Sequence, residues 1–343
     1  MLDDLKLIHE RDAQDALGIA GKQWQQLQYN YEVDLAEQSA SIKRIVFAGM
    51  GGSALFAAIA QSWPGFDRPF EICRNYNLPD YVDADTLVFV SSYSGNTEET
   101  ISALHEAEAK QAGIIVITSG GKLAEIAKDK GYPLLLEPAG LQPRHAAFYW
   151  LKALLTATDA LGLTHGAATE LVAQAEWFKA KIDEWAPTVP TKDNWAKQIA
   201  QEMIGKSVVI YGGPKMAPAA YKWKISFNEN AKQVAWTNQF PEFNHNEFIG
   251  WTEQPVDKPY AIVDLRSSLE HPRVQKRFEV TERLLSGKRP SPQVVVPQGE
   301  TLIQQLLFVI ALGDFVTLYT ALLNGLNPTP VELIEKFKKA LDE

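Results

Sequence analysis

The chain has 343 residues, of which 46% are hydrophobic and 22% are charged, and its formal net charge is −9. This length suits two domains of ordinary size, and the composition is that of a globular protein with enough apolar residues for their cores. The negative charge argues against a polybasic surface for nucleic acid or for a membrane. A single cysteine, Cys73, forms neither an intrachain disulfide nor a thiolate zinc cluster, so we expect a reducing, cytoplasmic location.

The first half of the chain alternates apolar strands with helices. Residues 1–40 are predicted to be helical, and their acidic beginning, MLDDLKLIHERD, predicts no signal peptide. Strand-to-helix units follow at IKRIVFAGMGGSALFAAIAQSW, TLVFVSSYSGNTEETISALHEAEAKQAG and IIVITSGGKLAEIAKDKG, with short strands at FEICRNY and YPLLLEP. Strands that are apolar along their whole length and alternate with helices predict a parallel sheet covered on both faces.

The second half begins with a helical stretch and then repeats the alternation. Residues 165–200 are predicted helices that carry Pro187 and Pro190, and we interpret them as a connection between domains. Strands are predicted at KSVVIYGGP, YAIVDLRS and PQVVVPQG, with a helix at HPRVQKRFEVTERLLSG. The apolar run LLFVIALGDFVTLYTALL, residues 306–323, is interrupted by Asp314, which favours a buried helix or helix pair over a membrane span.

Both halves open with a strand, two glycines and a helix, at IVFAGMGGSA and VVIYGGPKMA, which indicates a weak internal duplication. We therefore predict an N-terminal α/β domain over residues 1–160, a helical linker over 161–203 and a C-terminal α/β domain over 204–343. Open parallel sheets bind ligands beyond the carboxyl ends of their strands, so the loops at those ends are the candidate sites.

The glycine turn GMGGSA, residues 49–54, has more than one interpretation. Its spacing fits G-x-G-x-x-A, the dinucleotide fingerprint, which would make the chain a nicotinamide enzyme. That fingerprint needs an acidic residue at the end of the second strand, where FEICRNY has Arg74 and Asn75. The glycines fit better as backbone N–H donors near a smaller anion or a sugar, while a tight turn without a ligand stays open.

The stretch SSYSGNTEET, residues 91–100, follows a buried strand and begins a helix. The free N–H groups and the dipole of a helix N-terminus favour an anion, and Ser92, Ser94 and Thr97 add neutral hydroxyl donors. This pattern predicts a cradle for a phosphate monoester that needs neither Lys nor Arg. The alternative is N-capping by Ser94 or Asn96, which explains one or two of these residues but not three hydroxyls beside a glycine.

These two loops together resemble the sugar isomerase (SIS) domain, whose S-x-S-G-x-T loop holds a sugar phosphate. Four further motifs resemble the bifunctional phosphoglucose/phosphomannose isomerases: PR at 143–144, NENAK at 228–232, FNHNEFIGW at 243–251 and NPTPVELIEKFK at 327–338. The resemblance implies two SIS-type domains, each a mainly parallel sheet flanked by helices in an αβα sandwich. It also implies an isomerase of carbohydrate metabolism that interconverts glucose 6-phosphate and mannose 6-phosphate with fructose 6-phosphate through a cis-enediol.

The same resemblance assigns the residues that would contact the substrate. They are Gly51, Gly52, Ser53, Ser92, Ser94, Thr97 and Thr329. The first three would line the sugar and the next three would hold the phosphate. Thr329 stands where single-substrate isomerases carry a bulkier side chain, so its small size is expected to admit both epimers at C2.

Catalysis is assigned by the resemblance to Arg144, Glu229, His245 and Lys336. Glu229 would be the base at C2, since a carboxylate taken out of water is a better base near neutral pH. The alternative for Glu229 is a helix-surface glutamate that pairs with a neighbouring lysine, Lys224 or Lys232. The Arg144 guanidinium would stabilise the negative charge that develops on the enediolate.

His245 would open the sugar ring, because histidine titrates near neutral pH and this one lies in an irregular segment. In the related enzymes this histidine reaches the active site from the partner subunit, which implies a homodimer with a shared site. Lys336 is chosen because it follows Thr329 by seven residues, and Lys338 stays open as the alternative.

No cofactor is implied by the resemblance. The sequence has no H-x-H or H-E-x-x-H pattern, which favours a metal-independent reaction over the metal-dependent mannose-phosphate isomerases. The competing interpretation is a non-catalytic SIS-type regulator that binds a sugar phosphate in the same cradle and does not need Glu229 or His245.

Overall fold

The computed structural model describes residues 1–33, 35, 42–253 and 259–341. The chain forms two compact units: Gln23–Trp177 is one, and Met1–Lys22 together with Phe178–Glu343 is the other. The domain boundaries expected after residues 160 and 203 stay a prediction.

The chain begins with short helices instead of one long helix. These are α1 (Leu5–Arg11), α2 (Ala16–Gly21) and α3 (Gln23–Gln26). Asp12 is the C-cap residue of α1, and its carboxylate accepts hydrogen bonds from the N–H groups of Ala16 (2.8 Å) and Leu17 (2.9 Å) at the start of α2, whose N-cap residue is Asp15. Residues 27–33 are not helical, so the prediction of a helix over 1–40 is wrong there, and residues 34 and 36–40 lie outside the described residues.

The unit Gln23–Trp177 is built on a parallel sheet of five strands in the order β2-β1-β3-β4-β5. Its strands are β1 (Arg44–Gly49), β2 (Phe70–Cys73), β3 (Thr86–Ser92), β4 (Gly113–Thr118) and β5 (Leu134–Leu136). Its helices after α3 are α4 (Gly52–Ser62), α5 (Glu98–Ala109), α6 (Gly121–Lys130), α7 (Ala147–Ala160) and α8 (Ala167–Ala173). Every residue of the central strand β3 is buried, so the predicted parallel α/β sheet is confirmed.

The other unit contains a second parallel sheet, in the order β7-β6-β8-β9. Its strands are β6 (Ser207–Gly212), β7 (Ala235–Gln239), β8 (Tyr260–Leu265) and β9 (Gln293–Val295). The helices from residue 175 onward are α9 (Ala175–Asp183), α10 (Trp195–Met203), α11 (Ala217–Glu229), α12 (Glu247–Gly250), α13 (Pro272–Leu284), α14 (Leu302–Leu323) and α15 (Glu332–Leu341). The sequence analysis missed β7, because this edge strand, AWTNQ, is half exposed and carries polar residues.

The long apolar run near the C-terminus is the buried core helix α14. It begins with a capping box between Thr301 and Gln304. In the described part of the chain, α14 is the one helix long and apolar enough to cross a membrane, and 94% of its most apolar 18-residue window is buried. Asp314 inside α14 is paired with Lys222 and accepts from the Ser226 hydroxyl at 2.9 Å, so its charge is compensated within the core. The predicted buried helix is therefore confirmed.

The two sheets share their strand order. The order β2-β1-β3-β4 in the first sheet matches the order β7-β6-β8-β9 in the second. In each sheet, the strand that comes first in the chain, β1 or β6, leads through a glycine turn into a helix, α4 or α11. This match supports the internal duplication that the two strand–Gly-Gly–helix segments indicate.

Candidate active site

The three hydroxyls of the predicted phosphate cradle lie together where β3 ends and α5 begins. The Ser92 Oγ atom lies 2.8 Å from Thr97 Oγ1 and 3.4 Å from Ser94 Oγ. Ser92 is buried, Thr97 is half-buried and Ser94 is exposed, so the cluster faces solvent on one side. It lies at the N-terminus of the twelve-residue helix α5, whose amide donors and dipole favour an anion, and Glu98 and Glu99 already complement that dipole in the first turn.

The capping alternative for this loop is wrong. Thr97 occupies the N-cap position of α5 and its side chain makes no capping hydrogen bond. Ser94 Oγ accepts from the N–H of Asn96 at 3.3 Å, and Asn96 Oδ1 accepts from the N–H of Lys122 at 3.1 Å, in the first turn of α6. Within the described residues, therefore, neither the Ser94 nor the Asn96 side chain accepts a hydrogen bond from the first turn of α5.

Gly95 sets the shape of the cradle. Its φ angle of 69° lies in the left-handed region, and a Cβ atom at this position would overlap the carbonyl oxygen of Gly120, in the loop after β4. The amide of Leu123 donates to the Gly95 carbonyl at 3.0 Å, which ties the same two loops together. Any residue other than glycine would push the loops after β3 and β4 apart.

The glycine turn after β1 joins the cradle on one side and Arg144 on the other. Ser53 Oγ accepts a hydrogen bond of 3.2 Å from the N–H of Tyr93, inside the cradle loop. A Cβ at Gly52 would lie 3.4 Å from the backbone nitrogen of Arg144, so the turn packs closely against that segment. Gly51 is exposed at the start of α4. The structure therefore brings Gly52, Ser53, the cradle and the Arg144 backbone together in one unit.

Arg144 lies in a short 3₁₀ helix, Pro143–His145, directly before α7. Its side chain is only 1% exposed, and its Nη1 lies 3.4 Å from Gln142 Oε1. Gln26 holds the segment from behind: Nε2 donates to the His145 carbonyl at 2.7 Å, and Oε1 accepts from the N–H groups of Phe148 (3.2 Å) and Tyr149 (3.3 Å). The sequence analysis missed Gln26, since nothing in its local pattern indicates a contact 119 residues away.

In the other unit, Glu229 is the last residue of α11 and lines a cavity of about 830 Å³. The cavity is formed by Lys224, Asn228, Glu229, Lys232, Gln233, Val234, Ala235, Trp236 and the stretch from Pro330 to Ile334. Lys232 Nζ donates to four main-chain carbonyls, those of Glu229 (2.9 Å), Asn230 (3.3 Å), Asn327 (3.1 Å) and Pro328 (2.9 Å). This lysine therefore fastens the end of α11 to the segment that leads into Thr329.

His245 ends a short 3₁₀ helix, Glu242–His245, and its side chain is exposed. The neighbouring Asn244 accepts from Arg277 Nη1 at 3.1 Å and donates to Thr281 Oγ1 at 2.9 Å, while Phe243 is buried among aromatic rings. The neighbours of His245 are thus held by hydrogen bonds and by packing, while the histidine itself is exposed to solvent. His245 is not among the residues that line the Glu229 cavity.

The two candidate lysines lie on α15. Lys336 and Lys338 are both exposed, and Lys338 Nζ lies 3.2 Å from Glu335 Oε1. Residues 332–334 of this helix line the Glu229 cavity but neither lysine does. The structure therefore brings the beginning of α15, but not Thr329, into the lining of the Glu229 cavity, and the choice between the two lysines stays a prediction.

The second sheet has a similar glycine turn, and a carboxylate from the same unit accepts hydrogen bonds from its amides. Glu270, in the loop after β8, is 4% exposed, and its Oε1 accepts from the N–H groups of Lys215 (2.8 Å) and Met216 (3.3 Å), just before α11. In the shared strand order β8 corresponds to β3. Glu270 follows β8, and the hydroxyl cradle follows β3. Among the described residues, no group of three or more His, Cys, Asp and Glu side chains is placed to hold a metal ion.

Comparison with known proteins identifies the family. Residues 40–131 match the SIS domain, and residues 192–341 match the bacterial phospho-glucose isomerase C-terminal SIS domain. A bifunctional phosphoglucose/phosphomannose isomerase of Aquifex aeolicus is 33% identical over 92% of this chain and 95% of its own length, and one of Caldicellulosiruptor bescii is 36% identical over 93% and 96%. The solved structure of a glucose-6-phosphate isomerase like protein from Thermus thermophilus shares the fold, with a TM-score of 0.66, 18% identity and coverage of 97% of this chain and 99% of that one. The chain belongs to the family of bifunctional phosphoglucose/phosphomannose isomerases.

Proposed function

We propose that the chain is a metal-independent aldose–ketose isomerase that interconverts glucose 6-phosphate and mannose 6-phosphate with fructose 6-phosphate. The observation that carries the proposal is the position of Glu229, which lines a cavity of about 830 Å³, in a chain whose relatives at 33–36% identity carry the names of both isomerases. A cavity of this volume suits a ligand of the size of a hexose phosphate.

The phosphate is bound by the Ser92, Ser94 and Thr97 hydroxyls and the first amides of α5. No lysine or arginine belongs to this hydroxyl cluster, so binding depends on directed hydrogen bonds and the helix dipole, against a net charge of −9. Gly51, Gly52 and Ser53 lie beside the sugar. Because the phosphate is identical in all three sugar phosphates, these hydrogen bonds contribute affinity but do not distinguish one substrate from another.

Glu229 removes the proton from C2 of the open-chain aldose and returns it to C1, and the reverse sequence converts fructose 6-phosphate. The C2–H bond breaks, its electron pair forms the C1=C2 bond of the enediolate, and the same carboxyl group delivers the proton to C1 while the proton of the C2 hydroxyl moves to the C1 oxygen. Arg144 stabilises the negative charge on the enediolate oxygen, as does Lys336, for which Lys338 is the alternative. His245 moves the proton that opens the sugar ring. Thr329 leaves room for either configuration at C2.

We also propose that the active form is a homodimer in which His245 acts in the partner's site. The exposure of His245, the firm support beneath it and its position away from the Glu229 cavity of its own unit support this arrangement. A histidine held rigidly at the surface is suited to enter a neighbouring subunit.

The test is the conversion of mannose 6-phosphate and of glucose 6-phosphate to fructose 6-phosphate in the presence of a chelator. Wild type is compared with Glu229→Gln, and with Glu202→Gln, an exposed glutamate on α10, as the matched control. We expect wild type and the control to convert both sugars and Glu229→Gln to lose roughly 10²–10⁴-fold in kcat.

Other outcomes separate the parts of the proposal. Turnover of only one sugar contradicts the role of Thr329 and leaves the isomerase standing. Loss of activity on adding the chelator contradicts the metal-independent mechanism. If neither sugar turns over but both raise the melting temperature, the chain is a non-catalytic sugar-phosphate regulator.

A further inference from the structure

Tyr93 lies in the middle of the phosphate cradle, between Ser92 and Ser94, and each of its polar atoms is hydrogen-bonded within the same unit. Its N–H donates to Ser53 Oγ at 3.2 Å, in the glycine turn. Its carbonyl accepts from the N–H of Ser119 (3.2 Å) and from the Ser119 hydroxyl (2.6 Å), in the loop after β4. One residue therefore joins the backbone of the cradle to both neighbouring loops.

The side chain of Tyr93 reaches a third loop. Its hydroxyl donates to the Pro138 carbonyl at 2.9 Å and accepts from the N–H of Leu141 at 2.8 Å. The ring is 9% exposed and packs edge-on against Trp150 of α7, with ring centroids 5.6 Å apart. Burial raises the pKa of the Tyr93 hydroxyl, so it stays protonated and keeps both its donor and its acceptor role.

The loop that Tyr93 holds leads directly to Arg144. Leu141 is followed by Gln142, Pro143 and Arg144, and the Arg144 side chain is buried against this segment, with Nη1 at 3.4 Å from Gln142 Oε1. Pro143 restricts the φ angle just before the arginine, and only two residues separate Leu141 from Arg144, so the position of the 138–141 loop constrains that of the arginine. The path from the Ser92 and Ser94 hydroxyls to Arg144 thus consists of one tyrosine and three residues of backbone.

We propose that Tyr93 is a positioning residue that couples phosphate binding in the Ser92–Thr97 loop to the placement of the Arg144 guanidinium. A phosphate that orders the cradle fixes the Tyr93 backbone, and through its hydroxyl the loop that carries Arg144. The consequence for catalysis rests on the proposed isomerase, because only there does Arg144 act on an enediolate. A displacement of about 1 Å in such a group lowers the rate by roughly 10²-fold.

The test uses Tyr93→Phe, which removes the hydroxyl and keeps the ring against Trp150. The matched control is Tyr132→Phe, since the Tyr132 hydroxyl donates to Glu108 Oε1 at 2.8 Å, away from the cradle. Hydrogen exchange is followed with and without saturating inorganic phosphate. In wild type and control we expect phosphate to slow exchange in residues 92–97 and in residues 139–144, and in Tyr93→Phe only in residues 92–97.

Steady-state kinetics supply the second readout. For Tyr93→Phe we expect kcat to fall about 10-fold or more, as for the loss of two buried hydrogen bonds, while the inhibition constant of inorganic phosphate stays within about twofold. A variant that was merely destabilised would lose phosphate affinity and kcat together, and that result would overturn the proposal.

The remaining outcomes are also decisive. Phosphate protection of residues 139–144 that persists in Tyr93→Phe contradicts the coupling, as does an absence of phosphate protection in wild type. If wild type shows the two-loop protection but converts no hexose phosphate, the isomerase proposal fails while the coupling through Tyr93 stands.

Discussion

The side-chain amide of Gln26 donates a hydrogen bond of 2.7 Å to the carbonyl oxygen of His145, the residue after Arg144. The oxygen of the same amide accepts from two N–H groups at the start of α7, so Gln26 binds the segment both before and after the turn into the helix. A side-chain amide carries a donor and an acceptor on the same group, and Gln26 uses both.

Gln26→Glu is predicted to make activity depend on pH in a new way. The acid form donates to the His145 carbonyl as Gln26 does, whereas the ionised form places two oxygens against each other in a buried position. We expect the ratio of variant to wild-type kcat to fall about 10-fold between pH 5.5 and pH 8. Gln61→Glu, an exposed glutamine in the same unit, is the control, and a flat ratio for Gln26→Glu would contradict the role of this bond.

Thr97→Val is predicted to weaken substrate binding more than turnover. Valine keeps the shape of threonine but removes the hydroxyl that lies 2.8 Å from Ser92 Oγ, and with it the hydrogen bond that we propose to the charged phosphate. We expect KM to rise roughly 10- to 100-fold with kcat changed by much less. Thr100→Val is the control, because in the described part of the chain the buried Thr100 hydroxyl has no hydrogen-bond partner. Equal effects of both substitutions would contradict the assignment of Thr97 to the phosphate.

Glu137→Gln is predicted to change how stability depends on pH. Glu137 follows β5, is 5% exposed, and within the described residues neither of its carboxyl oxygens has a hydrogen-bond partner. Burial raises its pKa well above the usual value, and the Tyr31, Tyr93 and Tyr149 hydroxyls nearby carry no positive charge to offset this. A group whose folded pKa is raised contributes stability at low pH and loses it as pH rises through the folded value.

The measurement is the free energy of unfolding from pH 5 to pH 9. We expect wild type to lose up to about 1.4 kcal/mol per pH unit relative to Glu137→Gln as the pH rises from the unfolded pKa towards the folded one. Glu125→Gln, an exposed glutamate on α6, should show no such divergence. Parallel pH curves for wild type and Glu137→Gln would show that the carboxyl is already ionised in the folded chain.

Mixing two inactive variants is predicted to restore activity if His245 acts in the partner's site. A dimer of one His245→Ala chain and one Glu229→Gln chain has one site with both groups intact. At equal amounts and free exchange of subunits, about a quarter of wild-type activity should return. If both groups belong to the same chain, no mixed dimer contains an intact site and activity stays at the level of the variants alone.

Structural features that are formed by consecutive residues could be predicted from the sequence. The strands β1, β3, β4, β6 and β8 follow from apolar runs, and the clustering of the Ser92, Ser94 and Thr97 hydroxyls follows from their spacing around a glycine at one strand-to-helix junction. The edge strand β7 was missed because its polar residues lack a periodic pattern. The helical prediction for residues 1–40 was wrong over residues 27–33, and the helical part before them is divided where Asp12 and Asp15 bind the first N–H groups of α2.

The supports of the site could not be predicted. The side chains of Gln26 and Tyr93 form hydrogen bonds to main-chain atoms that lie 119 and 48 residues away in the sequence. A main-chain partner can belong to any type of residue, so the sequence does not indicate which one it is. Any glutamine or tyrosine fits the same local sequence. Only the folded backbone reveals which carbonyl each one meets.

Because of Glu270, the two sheets differ in their capacity to bind a free anion. Its carboxylate occupies the amides before α11 as a resident anion, tethered to the chain and therefore present at a local concentration that a free phosphate does not match. In the shared strand order α11 corresponds to α4, so the helix after the glycine turn of the second sheet has its anion supplied by the chain itself. A free phosphate ester could bind the amides before α11 only by displacing Glu270.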